Sequence, residues 1–103
     1  VKTWSYLPTT VEEIDLSSNA LCQWKIDDIL YLLKHLPASA HKLKLRDNGL
    51  SRFSLADIRK ILSALPPQIR ELDIGANGIN RFSSKQVETI LGYIPATVKY
   101  LIT

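Results

Sequence analysis

The chain has 103 residues, 46% of them hydrophobic and 22% charged, with a formal net charge of +3. That length suits one domain or part of one, and the balance is that of a globular chain, which excludes a disordered one. A single cysteine, Cys22, excludes an internal disulfide and favours a reducing compartment, while the longest apolar run, Ile29–Leu33, falls far short of the ~20 residues a membrane helix needs.

In chain order, Val1–Leu7 aligns with the end of a helix that closes a preceding unit, but Trp4 and Tyr6 replace the small or aliphatic residues expected there. It is either a remnant or a cap. The start Val-Lys-Thr-Trp has no signal-peptide shape. Because the chain begins without Met and stops partway through a strand at Thr103, it reads as a piece of a longer protein.

Glu13 to Ser17 alternates in polarity, which predicts a strand with Ile14 and Leu16 turned to the core and Glu13, Asp15 and Ser17 turned out. The same pattern returns downstream. Leu7-Pro8, Leu36-Pro37, Leu65-Pro66 and Ile94-Pro95 are spaced by 29 residues each, dividing the chain into repeats 8–36, 37–65 and 66–94 and the start of another at 95–103. A period of this size belongs to a solenoid whose units, one strand and one helix each, bury their apolar faces only by stacking.

Asn19, Asn48 and Asn77 fall just after the strands, where an amide side chain satisfies backbone groups that a turn leaves unpaired. They predict a buried asparagine ladder. Ser54-Leu-Ala-Asp57 and Ser83-Ser-Lys-Gln86 resemble capping boxes at helix starts, whereas the first helix has Lys25 there. Behind these caps run apolar stripes: Ile26, Ile29, Leu32, Leu33, Leu36; then Leu55, Ile58, Ile61, Leu62, Leu65; then Val87, Ile90, Leu91, Ile94. Trp24, Phe53 and Phe82 share one column and are expected to stack as an aromatic spine in the core.

The positions Val11, Ile14, Leu16, Asn19, Leu21, then Ala40, Leu43, Leu45, Asn48, Leu50, then Ile69, Leu72, Ile74, Asn77, Ile79 match the leucine-rich-repeat pattern Leu-x-x-Leu-x-Leu-x-x-Asn-x-Leu. In unit length the chain resembles the ribonuclease-inhibitor-like type, and its Leu-Pro-x-x-Val phrasing is similar to leucine-rich-repeat effectors of intracellular bacterial pathogens. The resemblance implies an α/β fold: a right-handed solenoid with a parallel sheet on the concave face and helices on the convex face. It also implies a protein–protein interaction module.

Catalytic constellations are hard to assemble. Cys22, His35 and His41 form no triad, and neither metal-ligand spacing nor a glycine-rich phosphate loop occurs, so no enzyme activity, metal or cofactor is expected. Gly75 and Gly78 flank Asn77, where glycine serves backbone geometry. Outward rows on the sheet are predicted to run Glu13, Lys42, Glu71, Tyr100, then Asp15, Lys44, Asp73, Ile102, then Ser17, Arg46, Gly75. Charges alternate between neighbouring strands, so Lys42 and Lys44 each lie between two carboxylates. One reading is self-neutralisation; the other is a basic spot that exchanges its internal partners for those of a bound protein. Arg52 and Arg81, with Arg70 and Lys99, make short basic edges, but their acidic neighbours and the lack of an exposed aromatic row argue against nucleic acid. Leu30, Tyr31, Tyr100 and Ile102 leave apolar surface at both ends. The terminal strand there is a template for self-association.

The expected partner is therefore another protein, covered by the concave face, with no nucleic acid and no membrane. Two roles stay open: an inhibitor or regulator of a partner enzyme, and the substrate-recognition arm of a larger effector such as a ubiquitin ligase. The expected location is the cytoplasm, or a host cell after secretion of a bacterial effector.

Overall fold

The computed structural model describes residues 11–102, so the expectation for Val1–Leu7 and the first Leu-Pro mark lie outside the described residues. Alternating polarity produces four three-residue strands: β1 (Glu13–Asp15), β2 (Lys42–Lys44), β3 (Glu71–Asp73) and β4 (Lys99–Leu101). They form one parallel sheet in sequence order. A helix follows each of the first three: α1 (Ile26–Lys34), α2 (Leu55–Ser63) and α3 (Ser84–Gly92). Neighbouring parallel strands joined through a helix make this a strand–helix solenoid, the sheet forming one face and the helices the other.

Local chemistry fixes where each helix starts and stops. Ser54 Oγ accepts the Asp57 N–H at 3.2 Å. Ser83 and Gln86 complete a reciprocal box, at 3.2 and 3.1 Å. Lys25 contributes no side-chain cap, and Asp27 and Asp28 in the first turn of α1 supply the negative charge that its dipole favours. Past each helix the proline carbonyls take over: Pro37, Pro66 and Pro95 accept from Ala40, Ile69 and Val98 N–H at 3.0, 3.1 and 3.0 Å.

The helix stripes meet the strands in a single core. Ile29, Leu33, Leu43, Leu45, Ile58, Leu62, Ile69 and Ile74 are all at most 1% exposed. Between each strand and helix the chain makes a one-turn 3-10 helix, at Leu21–Gln23, Leu50–Arg52 and Ile79–Arg81, whose first residue is buried. That turn overrides the expected aromatic spine. Leu21, Leu50 and Ile79 fill the space between strand and helix, so Trp24 is 42% exposed and Phe53 and Phe82 are half-buried at its rim.

The fourth strand departs from the 29-residue register. His41 and Lys42 N–H both donate to Glu12 O, and Arg70 and Glu71 N–H both donate to His41 O, a bulge-like doubling that absorbs one residue per repeat. On β4 Lys99 N–H alone donates to Arg70 O, and the pairing becomes Glu71↔Lys99, Leu72↔Tyr100 and Asp73↔Leu101. Tyr100 and Ile102 therefore leave the outward rows assigned to them. Lys99 and Leu101 take those positions by register, and Ile102 packs against the core.

Candidate protein-binding face

The sheet face displays Glu13, Lys42, Glu71 and Lys99 in one row and Asp15, Lys44, Asp73 and Leu101 in the next. The expected alternation holds in sign but not in pairing. Glu13 collects both central lysines, with Lys42 Nζ at 3.8 Å and Lys44 Nζ at 3.5 Å. Among the described residues neither lysine pairs with Asp15, Glu71 or Asp73. Two of these carboxylates, Asp15 and Asp73, are already engaged by their own turns.

Asp15 turns back to accept the Ser17 N–H at 2.9 Å. Its carboxyl is held below its ordinary value, first by the Ser17 hydroxyl and N–H, against a smaller effect of desolvation, with Lys44 adding least. The hydroxyl acts here as a nearby dipole; it completes no hydrogen bond among the described residues. Asp73 does the same on β3, accepting the Gly75 N–H at 3.0 Å, and it also receives Arg46 Nη1 at 3.0 and 3.3 Å on its two oxygens. Asp73 is 8% exposed, so this pair belongs to the scaffold as much as to the surface.

The face thus divides. Glu13, Lys42 and Lys44 form a part-exposed, loosely paired cluster, while Arg46 and Asp73 are locked together. At the C-terminal edge Lys42, Glu71, Lys99, Tyr100 and Leu101 surround a shallow notch of 200 Å³, and Tyr100 and Leu101 are 45% and 50% exposed. The chain pattern did not point to Lys99 and Leu101 in these rows. The adjacent apolar pair Leu101-Ile102 fits either register, and only the missing bulge decides.

Cys22, His35 and His41 have separate local roles. Cys22 Sγ lies over Gly49, His35 stacks on Tyr31 with ring centroids 4.1 Å apart, and the His41 ring bonds Gln68 O at 3.0 Å. No group of three metal-ligating side chains occurs among the described residues, and none of their helices is long and apolar enough to cross a membrane.

Short parallel strands in series, an asparagine and a one-turn helix after each of the first three, and helices on the far side define a leucine-rich-repeat solenoid. The chain has the α/β fold of a leucine-rich-repeat solenoid. Its structure is similar to the crystal structure of the leucine-rich repeat-containing protein LegL7 from Legionella pneumophila, with a TM-score of 0.90 and 30% sequence identity over 97% of this chain. The chain spans 31% of the length of that protein. No protein-family model matches the sequence, and no curated protein matches it either.

Proposed function

We propose that the chain is a protein-interaction module that engages a partner protein through its sheet face, acting as an inhibitor or regulator of that partner. The observation that carries this reading is the cluster of Lys42 and Lys44 on Glu13. Two neighbouring lysines on a central strand share one carboxylate at 3.8 and 3.5 Å, with side chains 39%, 31% and 44% exposed. Exposed pairs of this kind are worth about 0.2–1 kcal/mol, so a partner's carboxylates displace Glu13 at little cost.

Area limits what the sheet face holds on its own. Four strands about 4.8 Å apart, with roughly four residues of about 3.3 Å each, give a footprint near ~250 Å², against ~800 Å² per partner for a standard interface. The notch beside Tyr100 and Leu101, the turns and further repeats must add the rest. The similarity to a protein of Legionella pneumophila supports the bacterial reading, in which the module works as an effector in a host cell. The outer edge of β4 is a further contact surface, a template for strand addition by a second copy.

Capture from native lysate by the parent protein and by a Lys42→Glu, Lys44→Glu variant, with the fold checked by circular dichroism, tests the face. A partner held by the parent and lost by the folded variant supports it. Equal capture by both refutes it. A second role, the substrate-recognition arm of a ubiquitin ligase, is favoured over the inhibitor where the captured protein is ubiquitinated by the parent.

A further inference from the structure

The helix side breaks its own periodicity between α1 and α2. Leu30, Arg59 and Glu88 share one column of the repeat, and His35, Ala64 and Tyr93 share another. In the third repeat Tyr93 is part-buried and packs against the core. Ala64, at the same position of the second repeat, stops at a methyl group, and beside it Leu30 is apolar where later repeats carry a charge. The result is a shallow recess of 420 Å³ lined by Leu30, Lys34, Lys60, Ser63 and Ala64. It is not an end of the stack, because α2, the next helix along, is already seated beside α1 and leaves it open. The Tyr31 ring does not fill it either, being stacked on His35.

Charge frames the recess. The two helices are offset by 29 residues, which sets Lys60 level with Tyr31 and Ala64 level with His35. Lys34 and Lys60 therefore stand at opposite corners of the floor, with Leu30 and Ala64 at the other two. Both lysines are exposed, and among the described residues neither pairs with a carboxylate. A lysine near the C-terminus of each helix suits the dipole. That does not account for the apolar floor between them.

We propose that this recess docks a partner polypeptide by one aromatic or large aliphatic side chain that stands between acidic residues. The side chain takes the place that Tyr93 fills one repeat on, and its acidic neighbours meet Lys34 and Lys60. An apolar anchor seated in a pocket supplies most of the affinity of such a contact, while exposed ion pairs at the rim select the partner and fix its orientation. The recess lies on the helix side and does not rest on the reading of the sheet face.

A phage-displayed random peptide library, selected on the chain and depleted on its Ala64→Tyr variant, tests this. Depletion removes sheet-face binders, because that face is the same in both. Peptides with an aromatic or large aliphatic residue between acids are expected to survive, and to bind a Lys34→Gln, Lys60→Gln variant at least ~5-fold more weakly. Tyr93 shows that the column accepts tyrosine; Leu30→Arg, the residue that the next repeat has there, is the second variant, and circular dichroism checks each fold. The absence of survivors, or survivors that bind Leu30→Arg as tightly as the parent, overturns the proposal. Survivors without acids that bind the lysine variant equally would show an apolar cover alone, and a dimer of the chain that Ala64→Tyr splits would make a second copy the occupant; each overturns it too.

Discussion

Arg46 Nη1 reaches both oxygens of Asp73, at 3.0 and 3.3 Å, across two strands of a face whose other charges are loosely held. Asp73 is nearly buried and also tethers the Gly75 N–H, so removing Arg46 leaves a desolvated carboxylate with only a neutral donor. Arg46→Ala is expected to cost about 1–3 kcal/mol of stability, whereas Lys42→Ala, at an exposed pair, costs less than about 1 kcal/mol. Urea unfolding of the two variants measures this. Equal losses would place Arg46 among the dispensable surface charges. The same asymmetry makes Lys42 and Lys44, without Arg46, the residues to reverse when partner binding is tested.

The ladder predicts a graded series. Asn77 Nδ2 donates to Leu45, Ile74 and Gly75 carbonyls at 2.8, 2.9 and 3.0 Å while its Oδ1 accepts two amides, and the residue is 2% exposed. Asn48 is 1% exposed and holds the same kind of bridge, with two donors and two acceptors engaged. Asn19 is exposed and, among the described residues, its side chain makes two local bonds, to Leu16 O and Ser17 O. Alanine at Asn48 or Asn77 is expected to cost about 1–3 kcal/mol each, and at Asn19 well under that, since water replaces what is lost. Thermal unfolding that ranks Asn19→Ala with the other two would remove burial from the account.

Periodicity made the solenoid legible, because Leu-Pro marks, strand alternation, serine caps and helix stripes all repeat together and each follows from short-range chemistry. Asn48 and Asn77 were legible for the same reason. What escaped the pattern depends on non-local competition. Trp24 was expected inside, but Leu21 in the 3-10 turn reaches the core first. Lys42 and Lys44 were expected to share four carboxylates, but Asp15 and Asp73 are taken by the backbone of their own turns. The shift at Tyr100 turns on whether one carbonyl accepts one amide or two, which no residue spacing encodes.

Asp15 gives the face a pH dependence. Its carboxyl is lowered by Ser17, chiefly through the hydroxyl and the N–H at 2.9 Å. A folded value below the unfolded one, about 3.9, means that the ionised form is favoured by folding. The contribution is complete above that unfolded value and is lost as pH falls through the folded one. Asp15→Asn is therefore expected to lower the Tm slightly at neutral pH and to converge with the parent once the pH has fallen below the folded value. Two melting curves that stay parallel across this range would deny Asp15 any share in the acid limb.

The turn backbone supplies the last test. Ser18, Asp47 and Ala76 hold φ of 58°, 54° and 53°, and one step past each asparagine the column Ala20, Gly49, Gly78 holds 52°, 71° and 73°. An L-residue in this region costs roughly 1–2 kcal/mol, so glycine is favoured throughout the second column. Only two of its three positions have glycine, and packing shows why the need is sharper there. A Cβ on Gly49 would lie 2.8 Å from Cys22 Sγ, and one on Gly78 would lie 2.5 Å from Ser51 Oγ. Each glycine sits beneath the small side chain of the preceding repeat; Ala20 has no such neighbour among the described residues. Gly49→Ala and Gly78→Ala thus combine strain with collision and are expected to destabilise by more than about 1 kcal/mol. Ala20→Gly relieves strain but loosens the unfolded chain, for a net gain of about 0.5 kcal/mol. A gain at Ala20 beside losses at both glycines, read from denaturant midpoints, is the expected result. Losses at all three would mean that the first turn relies on the alanine methyl for packing.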